Sequence, residues 1–248
     1  MGKLLLGTTV AMMLAGATQA ADLPTRRETP RVVAPPFTWT GFYFGVHVGG
    51  GWGTKEWGDG REFNISDPAT TITPVPGPLG SYDVNGFFGG GQVGFNLQAG
   101  WAVFGIEADA SWADIKGSGI CFPIQCRSTT DTLGTITGRF GGAVDRALLY
   151  VKGGTAWMRE KHTMSFGVAP AFSASASDTK WGWVGGAGVE YAFAPNWSGK
   201  IEYNYLDFGK ETLTFLFPAL NPPDHANGTD RGVRQILHTV KAGLNYRF

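Results

Sequence analysis

The last nine residues, Val240-Lys241-Ala242-Gly243-Leu244-Asn245-Tyr246-Arg247-Phe248, alternate without a break. Successive side chains of a strand point to opposite faces. Val240, Ala242, Leu244, Tyr246 and Phe248 therefore share one face, and Lys241, Gly243, Asn245 and Arg247 share the other. The first face is apolar and ends on an aromatic ring. The second mixes glycine, an amide and charge. Working back along the chain, the same division recurs. Ile201, Tyr203 and Tyr205 oppose Lys200, Glu202 and Asn204, and Trp181, Trp183, Ala187, Val189, Tyr191 and Phe193 oppose Gly186, Gly188 and Glu190. Leu149, Val151 and Trp157 oppose Tyr150, Lys152, Gly154 and Ala156, and Ile136, Phe140 and Val144 oppose Thr135, Thr137 and Arg139. Phe104, Ile106, Ala108, Ala110 and Trp112 oppose Gly105, Glu107, Asp109 and Ser111. Phe87, Val93, Phe95 and Leu97 oppose Gln92, Gly94, Asn96 and Gln98, and Phe42, Phe44, Val46 and Val48 oppose Tyr43, Gly45, His47 and Gly49. Eight such segments result.

Their connections sort by length. Turns near Ala99-Gly100, Asp145-Arg146 and Pro195-Asn196 are short. Connections over 54–85, 116–131, 160–179 and 209–234 read as long polar loops. Short turns on one rim and long loops on the other fit an antiparallel up-and-down transmembrane β-barrel, with the loops extracellular and both termini periplasmic. Aromatic residues gather at segment ends (Phe42, Trp101, Trp112, Trp157, Trp181, Phe193, Trp197, Tyr246, Phe248), as in the two girdles of a membrane barrel. A soluble sandwich also alternates, but it turns its large apolar residues inward. Here the other face carries Gly, Asn, Gln, Thr and charge, which suits a narrow barrel interior.

Composition agrees. Of 248 residues, 38 are Gly and 17 are Phe, and only 16% are charged, against about 25% in soluble domains. Beyond the N-terminus no apolar run approaches the roughly 20 residues of a membrane helix. Formal net charge is zero with no basic stripe, so nucleic acid is not an expected partner. At the N-terminus, Lys3, the apolar stretch Leu4 to Ala17 and the small residues of Thr18-Gln19-Ala20 form a secretory signal over 1–20, cut after Ala20. An uncleaved anchor is the other reading, but the apolar stretch is short for a span. No cysteine lies near the cut, so a lipid anchor is not expected. Residues 21–38, with Pro24, Pro30, Pro35 and Pro36, read as a flexible linker, leaving 39–248 for the barrel.

The opening Trp39-Thr40-Gly41-Phe42-Tyr43-Phe44-Gly45, the Ala-Ala-Asp-Leu-Pro run at 20–24 and the aromatic C-terminus resemble the small outer-membrane proteins of alphaproteobacteria, the RopB-like or opacity-protein-like "porin family" barrels. The resemblance covers nearly the whole mature chain, though its sharp motifs are the two ends. It implies an outer-membrane barrel, whose Leu244, Tyr246 and Phe248 would be read by the barrel insertion machinery. It also brings in haem, which some members bind. Of the loop histidines, only His162 and His225 could serve as axial ligands here, and no cofactor is assigned.

The inner face carries the candidate functional residues. Glu107, Arg139, Lys152, Glu190, Glu202 and Lys241 fall at similar heights above their turns, with His47 comparably placed. An isolated buried charge is prohibitively costly, so these should pair across the interior. They form either a gate that selects solutes or a polar plug; eight strands leave room for side chains and little else. Catalysis has no distinctive spacing to rest on: His47, His162, His225 and His238 are scattered. The runs Gly49-Gly50-Gly51 and Gly89-Gly90-Gly91 lie within strands and precede no helix, so they are not phosphate loops. Cys121 and Cys126 would meet an oxidising compartment and form a loop disulfide. The expected roles are a structural and surface barrel that contacts lipid, lipopolysaccharide and external molecules through its loops or, alternatively, a porin. A membrane-embedded enzyme is the third reading.

Overall fold

The alternating C-terminal run is the closing strand of a barrel in the computed structural model, which describes residues 37–248 except 67–68, 76, 78–79, 122–123, 166–172 and 217–224. The strands are β1 (Gly41–Ser66), β2 (Ala69–Val75), β3 (Gly80–Ala99), β4 (Ala102–Cys121), β5 (Ile124–Val144), β6 (Ala147–Ser165), β7 (Ser173–Ala192), β8 (Trp197–Leu216) and β9 (His225–Arg247). Every neighbouring pair is antiparallel. The order β1-β3-β4-β5-β6-β7-β8-β9 closes on itself through β1–β9, from Tyr43↔Arg247 to Ser66↔His225. Closure leaves no edge strand over the paired length, which is the condition for backbone to face lipid. The short β2 is a ninth strand outside this ring, paired with Gly60–Ser66 of β1.

Three tight turns lie at one end. Gly100 takes φ 62° between Ala99 and Ala102, and Asp145 takes φ 50° between Val144 and Ala147. Both are left-handed conformations that two-residue hairpins demand. The third joins Ala192 to Trp197, where Ala194 and Trp197 exchange backbone hydrogen bonds.

The wall has the two faces that the sequence indicated. Phe42, Phe44, Val93, Ile106, Ile136, Val151, Val189, Ile201 and Leu244 point outward and are exposed. Phe87 and Trp112 are exposed by 80% and 79%. In water this band would forfeit about 25 cal/mol per Å² of apolar surface; against lipid it does not. The C-terminal Tyr246 and Phe248 join an aromatic group with Phe44 and Trp197, at ring separations of 5.2–5.8 Å.

Two expectations are corrected. The stretches 54–85, 116–131, 160–179 and 209–234, read as long loops, are mostly strand, so the wall runs well past the apolar band. Pairing there satisfies backbone groups and buries Trp57, Tyr82, Cys126 and Val233 inside. Single-residue bulges had hidden the alternation, at Trp57/Gly60, Trp112/Ile115, Thr130/Thr132 and Asp207/Lys210. The interior is also layered, not polar throughout. Trp57, Val84, Ile115, Leu133, Met158 and Leu237 belong to one apolar layer toward the loop end. Trp39, Val103, Leu148, Tyr150 and Ala192 form another at the turn end.

Phe37 and Thr38, which the sequence assigned to the linker, lie with the barrel. The Phe37 ring meets Trp39 edge-on at 5.3 Å, and the Arg247 guanidinium covers both rings. The signal segment, its cut at Ala20 and the rest of the linker fall outside the described residues. So does the side chain of Cys121; Cys126 is buried and is not a free thiol. One seam is short: β7–β8 pairing stops at Trp183↔Asp207, although both strands continue and stay paired on their other sides.

Candidate functional site

Inward positions on all eight strands of the closed ring converge at mid-lumen. Glu107 of β4 is the hub. Its carboxylate accepts hydrogen bonds from Lys200 Nζ at 2.6 Å, Tyr43 Oη at 2.8 Å and Lys152 Nζ at 3.0 Å, and Arg139 Nη1 stands 3.7 Å away. Glu202 of β8 accepts from Lys152 at 2.9 Å and Tyr150 Oη at 2.8 Å, with Lys241 at 3.1 Å. Asp109 accepts from Lys241 at 3.1 Å and from Thr135 Oγ1. Glu190 takes Arg139 at 3.1 Å, Asn245 Nδ2 at 2.8 Å and Ser198 Oγ. The Arg139 guanidinium lies between the Tyr43 and Tyr150 rings, 4.7 and 5.1 Å from their centroids, and its Nε donates to Asn96 Oδ1.

Four cations thus face four carboxylates, all buried, and every carboxylate is hydrogen-bonded. Such a network holds charge in a low-dielectric interior only because its partners are present. Beside it, His47 bridges Gln92 Oε1 at 2.8 Å and Ser111 Oγ at 2.7 Å, and Gln92 Nε2 donates to Asn245 Oδ1. With an amide oxygen on Nδ1, the ring donates there and accepts the Ser111 hydroxyl at Nε2. A Ser–His pair is one component of an acyl-transfer site, but this one sits inside the closed wall with both side chains buried.

A second cluster lies toward the loop end. Lys55 donates to both Glu160 oxygens, at 2.8 and 2.9 Å, and Thr130 Oγ1 donates at 2.9 Å. His162 Nε2 stands 3.3 Å and Lys180 Nζ 3.7 Å from the same carboxylate. Among the described residues, Lys180 Nζ, both His162 nitrogens and both amide atoms of Gln235 make no hydrogen bond. On the loop-end exterior, Asp59 accepts from the Gly77 N–H and faces Lys210, which together hold its carboxyl below the usual range.

The family model for the outer membrane protein β-barrel domain matches residues 8–248. This chain belongs to that family. Among curated relatives, the 31 kDa outer-membrane immunogenic protein of Brucella melitensis is 32% identical over 253 positions, covering 96% of this chain and 97% of the relative. The 25 kDa outer-membrane immunogenic protein of Brucella abortus is 26% identical over 223 positions, covering 88% and 84%. Among solved structures, the outer membrane protein OprG of Pseudomonas aeruginosa aligns at 14% identity and a TM-score of 0.47, covering 86% of this chain and 99% of that one.

Within this outer-membrane barrel, all six charged residues singled out from the sequence lie in the mid-lumen network. Asp109 and Lys200 belong to it as well; both were on the inner face, but strand stagger hid their level. The Glu160 cluster lies on stretches that the sequence pattern assigns to loops, so the alternation gives no sign of it. The three histidines with described side chains do not converge: His47 is in the lumen, His162 beside Glu160, and His238 on the outside against Tyr203, Tyr205 and Trp52. The His225 side chain lies outside the described residues.

Proposed function

We infer that this family member is a closed outer-membrane barrel that acts through its surface rather than through a channel or a catalytic centre. The observation that carries this reading is the mid-lumen network: four ion-paired cations and four carboxylates, flanked by apolar layers at both ends, leave the lumen filled by side chains. Solute passage would require breaking several buried ion pairs, each of which costs about 3–5 kcal/mol when one partner is lost. Only the rims and the lipid-facing wall then meet other molecules. The extended β1–β2, β4–β5, β6–β7 and β8–β9 hairpins stand at one rim and offer a platform for contact with the surroundings. Relatives named as immunogenic outer-membrane proteins agree with exposure of such a rim.

In this reading the hairpin rim faces outward and both termini face the periplasm, where Leu244, Tyr246 and Phe248 serve assembly. Cys121 and Cys126 are paired across the tip of the β4–β5 hairpin. Epitope tags on intact cells test the arrangement. A tag inserted within 166–172 should bind antibody without permeabilisation, and one between Asp145 and Arg146 only after it. The reverse pattern would overturn the orientation. Liposomes holding the purified protein should admit small sugars no faster than protein-free liposomes; rapid swelling would overturn the closed lumen.

A further inference from the structure

The outer wall above the aromatic level is electrostatically lopsided. On β4–β6, Lys116, Arg127, Arg159 and Lys161 point outward against two carboxylates, Asp114 and Asp131. Register gathers them: Lys116 pairs across to Thr129 and Thr129 to Lys161, while Arg127 lies between Ser118 and Thr163. No ion pair is recorded for Arg127 or Arg159 among the described residues. The opposite wall differs. On β8, β9 and β1 the exposed cations Lys210, Arg234 and Arg61 are each matched, by Asp59, Asp207 and Asp230. Glu56 adds further negative charge there, while Asp83, on β3 beside the basic face, accepts a hydrogen bond from Thr54 of β1.

Directly below the basic patch the wall is grooved. Gly91, Ala108 and Ala110 stand side by side on adjacent strands, Gly91 opposite Ala110 and Val93 opposite Ala108. Their small side chains open a recess of about 560 Å³ bounded by Phe44, Ile136 and Trp157. A second recess of about 420 Å³ shares Phe44, Val93, Ala108 and Ile136 and continues toward the turn end past Phe95, Ile106 and Phe248. Trp157, Arg159 and Lys161 follow one another on the same face of β6, so the cations begin one step above the groove. Adjacent strands are about 4.8 Å apart and alternate residues about 6.8 Å. The patch therefore spans more than one phosphate could contact.

We propose that the β3–β6 face is a docking site for a phosphorylated glycolipid of the outer leaflet. Its acyl chain lies in the groove over Gly91, Ala108 and Ala110, and its phosphates rest on Arg127, Arg159, Lys161 and Lys116. Guanidinium groups suit phosphate because their planar donors bind two oxygens together. Trp157 sits where tail meets headgroup, the level that indole rings favour. This rests on the outward orientation of the hairpin rim, which the tag experiment reads independently of any lipid.

The test uses the full mature chain refolded in detergent, where binding does not depend on orientation. Purified lipid A with two phosphates is titrated in while bound lipid is counted by native mass spectrometry and heat unfolding is followed. Lipid A should bind at least tenfold more tightly than its dephosphorylated form or phosphatidylglycerol. The triple variant Arg127→Gln, Arg159→Gln, Lys161→Gln should lose that preference, and Arg61→Gln, Lys210→Gln, Arg234→Gln should keep it. Gly91→Leu fills the groove without strain, since a Cβ there meets nothing closer than the Gly45 carbonyl oxygen at 3.6 Å; it should weaken binding several-fold while the lipid-free protein melts unchanged. Equal binding of all three lipids, equal loss in the two triple variants, or undiminished binding by Gly91→Leu would each overturn the proposal.

Discussion

At mid-height in the lumen, Arg139, Lys152, Lys200 and Lys241 face Glu107, Asp109, Glu190 and Glu202; toward the loop end, Lys55 and Lys180 face Glu160, with the more exposed Glu211 within electrostatic reach of Lys180. Both clusters are buried. In the first, charge balances and two side-chain atoms, Arg139 Nη2 and Asn204 Oδ1, lack a hydrogen bond. In the second, Lys55 and Thr130 already satisfy the carboxylate, so Lys180 adds a second buried ammonium that makes no hydrogen bond among the described residues. Burial alone therefore does not say what a charge contributes. A cation that completes a network holds the barrel together, whereas one left over weighs against it.

The largest way to break this contrast is Glu107→Ala. It strips Lys152, Lys200, Arg139 and Tyr43 of a shared partner at once, and should cost at the upper end of about 3–5 kcal/mol in urea unfolding from lipid vesicles. Cys126→Ser acts at the loop end through the unfolded chain; by removing the proposed hairpin-tip bridge it should cost only about 2 kcal/mol, with no effect in reducing buffer. Gly209→Ala is smaller still. Gly209 holds φ 64° at the β8 bulge, with nothing within 4 Å of an added Cβ. The loss should be about 1–2 kcal/mol of left-handed strain, read as a lowered melting midpoint.

The mid-lumen cluster was legible in the sequence and the loop-end cluster was not, for physical reasons. Lipid outside and side chains inside force a strict two-residue alternation through the apolar band. A charge such as Glu107 or Lys241 then declares its face by parity alone. Its height is less certain, because Lys200 lies opposite Gly243 while Glu202 lies opposite Lys241, and that stagger is set by the ladder as a whole. Past the apolar band the outward residues become polar and the contrast between faces fades. Bulges at Trp112/Ile115 and Thr130/Thr132 shift the parity, so that Thr130 and Leu133 both face inward. Lys55 and Glu160 are brought together only by the closed wall. The basic patch on β4–β6 has the same origin: Lys116, Arg127, Arg159 and Lys161 make no stripe in the sequence, and cross-strand register assembles them.

The contrast between the clusters is tested most directly by unfolding Lys200→Met and Lys180→Met side by side in the same vesicles. Both replacements keep the side-chain volume and remove one buried ammonium, 0% exposed for Lys200 and 1% for Lys180. Lys200→Met should lose about 3–5 kcal/mol, because Glu107 and Glu202 are left short of a partner. Lys180→Met should be neutral or stabilising, since Glu160 keeps Lys55. Equal losses from the two variants, or a larger loss from Lys180→Met, would contradict the account.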